Sequence, residues 1–181
     1  MPISEANLSA LSAFAALAEE YCTFIESLRS GRPARLYGTL EELLARIHLG
    51  ILPVEIEMPE KEHRRFQKVR MTDDQYSEAA RMIGEAVGKE SAALATWHDE
   101  LRPSDQTGDD YCATRAFMLW DDLADIYRDL HNGVALWKLD TPDALAEAAW
   151  EWRFGYESHW GNHLFRAMAT VHEARYHEFA D

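Results

Sequence analysis

A chain of 181 residues with 47% hydrophobic and 11% aromatic content is long enough to bury roughly 70% of its unfolded surface in a single domain, without staples. Its formal charge of −14 and pI near 4.9 argue against a nucleic-acid binder, because phosphate contacts need a basic surface and this one repels a polyanion. Cys22 and Cys112 lie far apart with no CxxC spacing, the pattern of free thiols in a reducing compartment. Neither a leader nor a membrane span is expected. Leu8 to Ala18 is preceded by Glu5 and by no Lys or Arg, and no apolar run reaches the about 18 residues a transmembrane helix requires. The expected location is cytoplasmic.

Apolar residues at Leu8, Leu11, Phe14, Leu17, Tyr21, Ile25 and Leu28 fall in threes and fours and predict a first helix, ended by Gly31 and Pro33. A second spans about Leu36 to Leu49, with Thr39 and Glu42 as a capping box and Leu40, Leu43, Leu44 and Ile47 as its buried stripe. Val54 to Met58 alternates like a strand but reads as extended loop for want of a partner. The basic concentration Lys61, Arg64, Arg65, Lys68 and Arg70 reads as a solvated face. Thr72 and Gln75 form another capping box, opening a helix that stops at Gly88. A short helix around Ser91 to His98 and a loop over Pro103 to Asp110 follow.

Two long helical patterns occupy the last third, from about Asp110 to Trp137 and from Thr141 to about Tyr176, the latter with Thr141 as N-cap and Pro142 at its first position. The connection Lys138 to Asp140 is too short for anything but antiparallel neighbours. Gly155 and Gly161 inside the second pattern predict a kink or a close helix approach. The expected fold is therefore all-α: residues 1–181 as one domain, a bundle of about five helices with a long antiparallel C-terminal hairpin.

Chemistry concentrates on that hairpin. On the first helix, Ala116, Leu119, Leu123, Tyr127, Leu130, Val134 and Trp137 share the apolar stripe, and Asp122, Asp125 and Asp129 lie on the far side. Carboxylates at i, i+3 and i+7 repel one another unless a cation or a donor compensates, although a face turned from the core is also where solvated acids ordinarily sit. On the second helix, Ala146, Ala149, Trp150, Trp160, Leu164, Ala167, Met168 and Val171 make the expected buried stripe, flanked by His159 and His163 beside Trp152 and Tyr156. An i, i+4 histidine pair is able to bind one divalent metal. The HExxH protease pattern is ruled out, since Trp160 stands where its glutamate belongs.

Asp121-Asp122-Leu-Ala-Asp125-Ile-Tyr127, with the later His159-Trp160-Gly161 and His172, resembles the pattern of an uncharacterised bacterial family known only as a domain of unknown function. The resemblance covers most of the chain and implies a compact helical protein, with no activity, cofactor or catalytic residue to carry over. A weaker resemblance, of Asp121, Asp122 and Asp125 to the DDxxD motif of isoprenoid synthases, is discounted because the second acidic motif is missing and the chain is far too short.

Two readings of function follow. The favoured one is a non-enzymatic helical module that binds a protein partner or a second copy of itself through the hairpin, with Asp122, Asp125, Asp129, Trp152 and Tyr156 as candidate contacts. The other is a metal-dependent hydrolase or metal-binding protein in which His159 and His163, with the aspartates across the hairpin, hold a divalent ion that activates water. The first is preferred because no general base or substrate-orienting loop stands out in the sequence.

Overall fold

The computed structural model describes residues 4–56, 63–88, 95–102 and 111–178. Six α-helices build it: α1 (Glu5–Ser27), α2 (Leu36–Ile51), α3 (Asp73–Val87), α4 (Leu119–Trp137), α5 (Pro142–Gly155) and α6 (Gly161–Glu173). An antiparallel hairpin, β1 (Ala95–Arg102) and β2 (Tyr111–Met118), connects α3 to α4, with Ala95 opposite Met118 and Arg102 opposite Tyr111.

Local sequence explains most helix ends. The Ser4 side chain accepts the Asn7 backbone N–H at 3.1 Å and caps α1. Thr72 and Gln75 form the expected capping box on α3, which ends at Gly88 with φ of 84°; Thr141 caps α5 ahead of Pro142. The second helix opens at Leu36 as expected, but without a side-chain cap: Thr39, expected with Glu42 as a capping box, sits inside it.

α4 is the hub of the fold, packed against α1, α3, α5 and α6. Tyr21 on α1 donates its hydroxyl to the Leu123 carbonyl at 3.0 Å. From the other side, Trp152 on α5 donates its indole N–H to the Leu130 carbonyl at 3.1 Å. Phe14 of α1 meets the Trp152 ring edge-on at 5.2 Å and stacks near Trp160 at 6.3 Å, tying the two ends of the chain into one apolar core. By length, and by a mean hydropathy of 1.2 over its best window, α1 with the turn after it is apolar enough to cross a membrane. This departs from the sequence expectation, yet its stripe of Leu11, Phe14, Ala18, Tyr21 and Ile25 is buried in the core.

Three expectations from periodicity are corrected. Residues 95–98, expected to be helical, lie in β1, and the helix expected from Asp110 begins only at Leu119, because β2 occupies 111–118. Period-3.6 and period-2 patterns are hard to separate over eight residues, and strand pairing is a non-local contact. The long C-terminal helix is also interrupted: a π-helical turn over Tyr156–Trp160 separates α5 from α6. Gly161 makes the turn feasible, since a Cβ there would stand 2.2 Å from the Tyr156 carbonyl oxygen. The extra residue in that turn shifts the phase of the helix, so a single projection misassigns α5. Glu147, Glu151 and Trp152 face inward, and Trp150 is only partly buried. The strand-like alternation ending at Met58, the Lys61 end of the basic run and the 103–110 loop fall outside the described residues.

Candidate metal centre

Because α4 packs against four other helices, its acidic face is largely withdrawn from water. The Asp122 side chain is 1% exposed, Asp125 13% and Asp129 18%. All three turn toward the π turn and α6, where His159, His163 and Arg166 lie. Asp122 Oδ1 accepts from Arg166 Nε at 3.0 Å and Nη2 at 2.6 Å, and it faces His163 Nδ1 at 2.8 Å. Arg166 Nη2 also lies 2.8 Å from that ring nitrogen, so one buried carboxylate oxygen gathers both side chains. The other, Asp122 Oδ2, is buried without a hydrogen-bond partner among the described residues.

The histidines are held in the same manner. His159 Nδ1 is 2.7 Å from Asp129 Oδ2, as His163 Nδ1 is 2.8 Å from Asp122 Oδ1. At His159 the Asp129 carboxylate favours a proton on Nδ1 and leaves Nε2 as the nitrogen open to a metal. At His163, Nδ1 sits between the Asp122 carboxylate and the Arg166 guanidinium, and Nε2 is 3.3 Å from Asp125 Oδ2. A proton or a metal ion on Nε2 satisfies that contact, whereas a bare lone pair and a carboxylate oxygen repel. Ligand atoms of Asp125, His159 and His163 all lie within 4.8 Å of one another, and the two rings are 4.8 Å apart at 58°.

An ion about 2.1 Å from each donor wants them roughly 3.4 Å apart. Closing from 4.8 Å to that spacing asks for a shift of His159, the most exposed of the three with its side chain 43% exposed. The donor set, two imidazoles and one carboxylate with each imidazole backed by a second carboxylate, matches the usual construction of transition-metal sites.

Asp125 is further restrained from α3: the Tyr76 hydroxyl donates to its Oδ1 at 3.1 Å, and Arg128 Nη2 reaches the same oxygen at 2.8 Å while lying over the Tyr76 ring at 4.6 Å. Asp121 shares the field of this cluster. Burial first, then the charges of Asp125 and Asp122, raise its carboxyl above the ordinary range, against the opposing pull of His163 and Arg166. A half-buried carboxyl with a raised pKa, in the field of this cluster, is a candidate for proton exchange.

On the α5 side of the hub, Arg70 contacts both Glu147 and Glu151. Burial is the largest influence on Glu151 and raises its pKa against the pull of Arg70, with Asp129 and Glu147 adding to the rise. The folded state therefore holds its proton to higher pH than the unfolded chain, and stability falls as pH rises from about 4.5 through the folded value. Glu151→Gln is accordingly expected to melt higher than the parent at pH 7 and to converge with it near pH 4; differential scanning calorimetry across that range checks it, and a lower melting point at pH 7 contradicts it.

A family model for a domain of unknown function, DUF5063, matches residues 6–177. The chain belongs to the DUF5063 family. The resemblance carried by the aspartate and histidine motifs implied such a family. The crystal structure of protein BF1032 from Bacteroides fragilis shares the DUF5063 chain's fold, with a TM-score of 0.73 at 17% identity, over 95% of this chain and 96% of that one. No curated protein sequence matches.

In this DUF5063 chain, Asp122, Asp125, Asp129, His159 and His163 come together as one cluster. Trp152 and Tyr156 point elsewhere: Trp152 is fully buried in the core, and Tyr156 bonds His48 of α2 at 2.8 Å. His172 pairs with Glu41 of α2 at 3.1 Å. Sequence reasoning missed Arg166, Tyr76 and Asp121 as members of the cluster. Arg166 follows His163 at i+3 and so shares its helix face, and Asp121 stood in the acidic doublet; nothing local pointed to Tyr76.

Proposed function

We propose that the protein binds one divalent first-row transition metal through Asp125, His159 and His163, and that the ion's open positions serve water-activating, hydrolytic chemistry with Asp121 as the proton-exchanging group. The observation that carries this reading is the orientation of both imidazoles by separate carboxylates, with the Nε2 of His163 turned to Asp125. Three protein ligands leave room for water and substrate, whereas a purely structural site is usually closed by four. In this reading the ion supplies a water of lowered pKa; Asp122 and Asp129 fix the rings, and Tyr76 and Arg128 restrain Asp125.

This reading now stands ahead of the interaction module because the acids that a partner would contact are turned inward. The interaction reading keeps one support: Phe154 and Phe165 are 42% and 53% exposed, with Trp150 stacked on Phe154 at 4.7 Å. Sedimentation of the parent against Phe165→Ser tests self-association through that surface.

The deciding experiment is elemental analysis of untagged protein purified without chelator, followed by Co²⁺ titration read by visible absorption. One equivalent is expected in the parent. His163→Ala and Asp125→Ala should weaken binding by at least about 100-fold, and His172→Ala should not change it. A parent that is metal-free and shows no cobalt spectrum overturns the proposal.

A further inference from the structure

A second concavity lies on the opposite side of α4 from the aspartates, in a groove of about 510 Å³ between α1, α3 and α4. That volume falls within the usual range for a small-molecule site. Its floor is apolar and well packed: Ala79 and Met82 from α3 and the ring of Tyr127 from α4 are each 6% exposed. Its polar lining is unbalanced, with the carboxylates of Glu26, Asp74 and Glu78 set against the single guanidinium of Arg29.

These carboxylates are not equivalent. Glu78 is committed to Arg81 on its own helix, at 2.8 Å, and also feels Arg29. Glu26 is oriented by the Tyr127 hydroxyl, which donates to its Oε1 at 3.1 Å, leaving Oε2 for a second donor. Asp74 carries a further negative charge in the first turn of α3. His131, one helical turn beyond Tyr127, adds no compensating cation: burial holds its imidazole below the ordinary range, and its Nδ1 is buried without a hydrogen-bond partner among the described residues. An anion entering here would meet net repulsion, and a wholly apolar molecule would gain nothing from the acidic rim.

We infer that this groove is a binding site for a small organic cation, a primary amine on an apolar body, with the ammonium held by Glu26 and Asp74 and the body laid on Met82 and Tyr127. Thioether and phenol surfaces suit a flat or aliphatic body bearing a positive head. The site shares no residue with the proposed metal centre, and the two inferences fail separately.

Benzylamine is the probe, with benzyl alcohol and benzoate as neutral and anionic counterparts of the same shape. In spectra of protein labelled at the methionine methyls, assigned through Met71→Leu and Met82→Leu, the Met71 and Met82 signals should shift saturably with benzylamine, at a Kd of about 1 mM or tighter. Benzyl alcohol should bind about tenfold more weakly and benzoate more weakly still. Glu26 and Asp74 are exposed on their helices, so Glu26→Gln and Asp74→Asn should fold normally and each lower benzylamine affinity about tenfold. His163→Ala should leave it unchanged. The inference is overturned if the two methyls stay still at about 10 mM amine, if the alcohol binds as tightly as the amine, or if both charge-removing variants bind like the parent.

Discussion

Asp122→Asn is expected to lower stability by about 3 kcal/mol and metal affinity by about 10- to 100-fold, two effects with one origin. The Asp122 side chain is 1% exposed, and its Oδ1 collects the Arg166 fork and the His163 Nδ1. Asparagine preserves the shape and removes the charge, so the mostly buried guanidinium of Arg166 and the His163 ring both lose the carboxylate that faces them. Neutralising one member of a buried, hydrogen-bonded ion pair costs far more than the net worth of the original pair. Urea unfolding reads the first effect and cobalt titration the second. An unchanged unfolding midpoint would falsify the assignment of Asp122 as the buried anchor of α6 on α4. A lowered midpoint with unchanged metal affinity would separate its packing role from any role in ligand orientation.

Gly133→Ala is the second large effect, and its sign opposes helix propensity. Alanine in a helix interior is ordinarily better than glycine by about 1 kcal/mol. Here the new Cβ would stand 2.0 Å from Trp152 Nε1 and 2.2 Å from Cε2. The indole has nowhere to go: it is fully buried, donates to the Leu130 carbonyl at 3.1 Å and meets Phe14 edge-on. α4 and α5 must therefore separate, which also disturbs the hydrogen bond that joins them. The expected cost is roughly 3 kcal/mol, a fall in melting temperature of roughly 6 to 12 °C for a chain of this size. Thermal melts followed by far-UV circular dichroism and by tryptophan fluorescence check it. A melting temperature at or above the parent's would mean that α4 and α5 approach less closely than the geometry requires.

Both cases turn on the same architectural fact, that α4 is packed against four other helices and presents no fully exposed face. Helical projection assumes one buried stripe and one wet one, and on that assumption Asp122, Asp125 and Asp129 are surface acids. With α1 and α3 on one side and α5 and α6 on the other, the aspartate face becomes an interior polar seam, satisfied by His159, His163 and Arg166 from α6 and its π turn. The same assumption failed for α5, whose inward residues include Glu147 and Glu151 because Arg70 contacts both. Polar residues within a hub helix carry no local sign of whether they face water or one another.

The sequence by itself determined the elements whose causes are local: the Thr72 to Gln75 capping box, the Gly88 stop, Thr141 ahead of Pro142, and the three-residue link that forces α4 and α5 antiparallel. Carboxylates and histidines at helical spacing are also visible without coordinates, and the structure gathers Asp122, Asp125, Asp129, His159 and His163 in one cluster. Only the tertiary structure decided that 95–102 pairs with 111–118 as strands, that a π turn over Tyr156–Trp160 divides the last helix, and that Asp125, His159 and His163 converge. The reason is physical: caps and turns are set by bonds spanning three or four residues, whereas strand pairing, helix phase after a π turn and the burial of a polar face depend on partners tens of residues away, which no local period records.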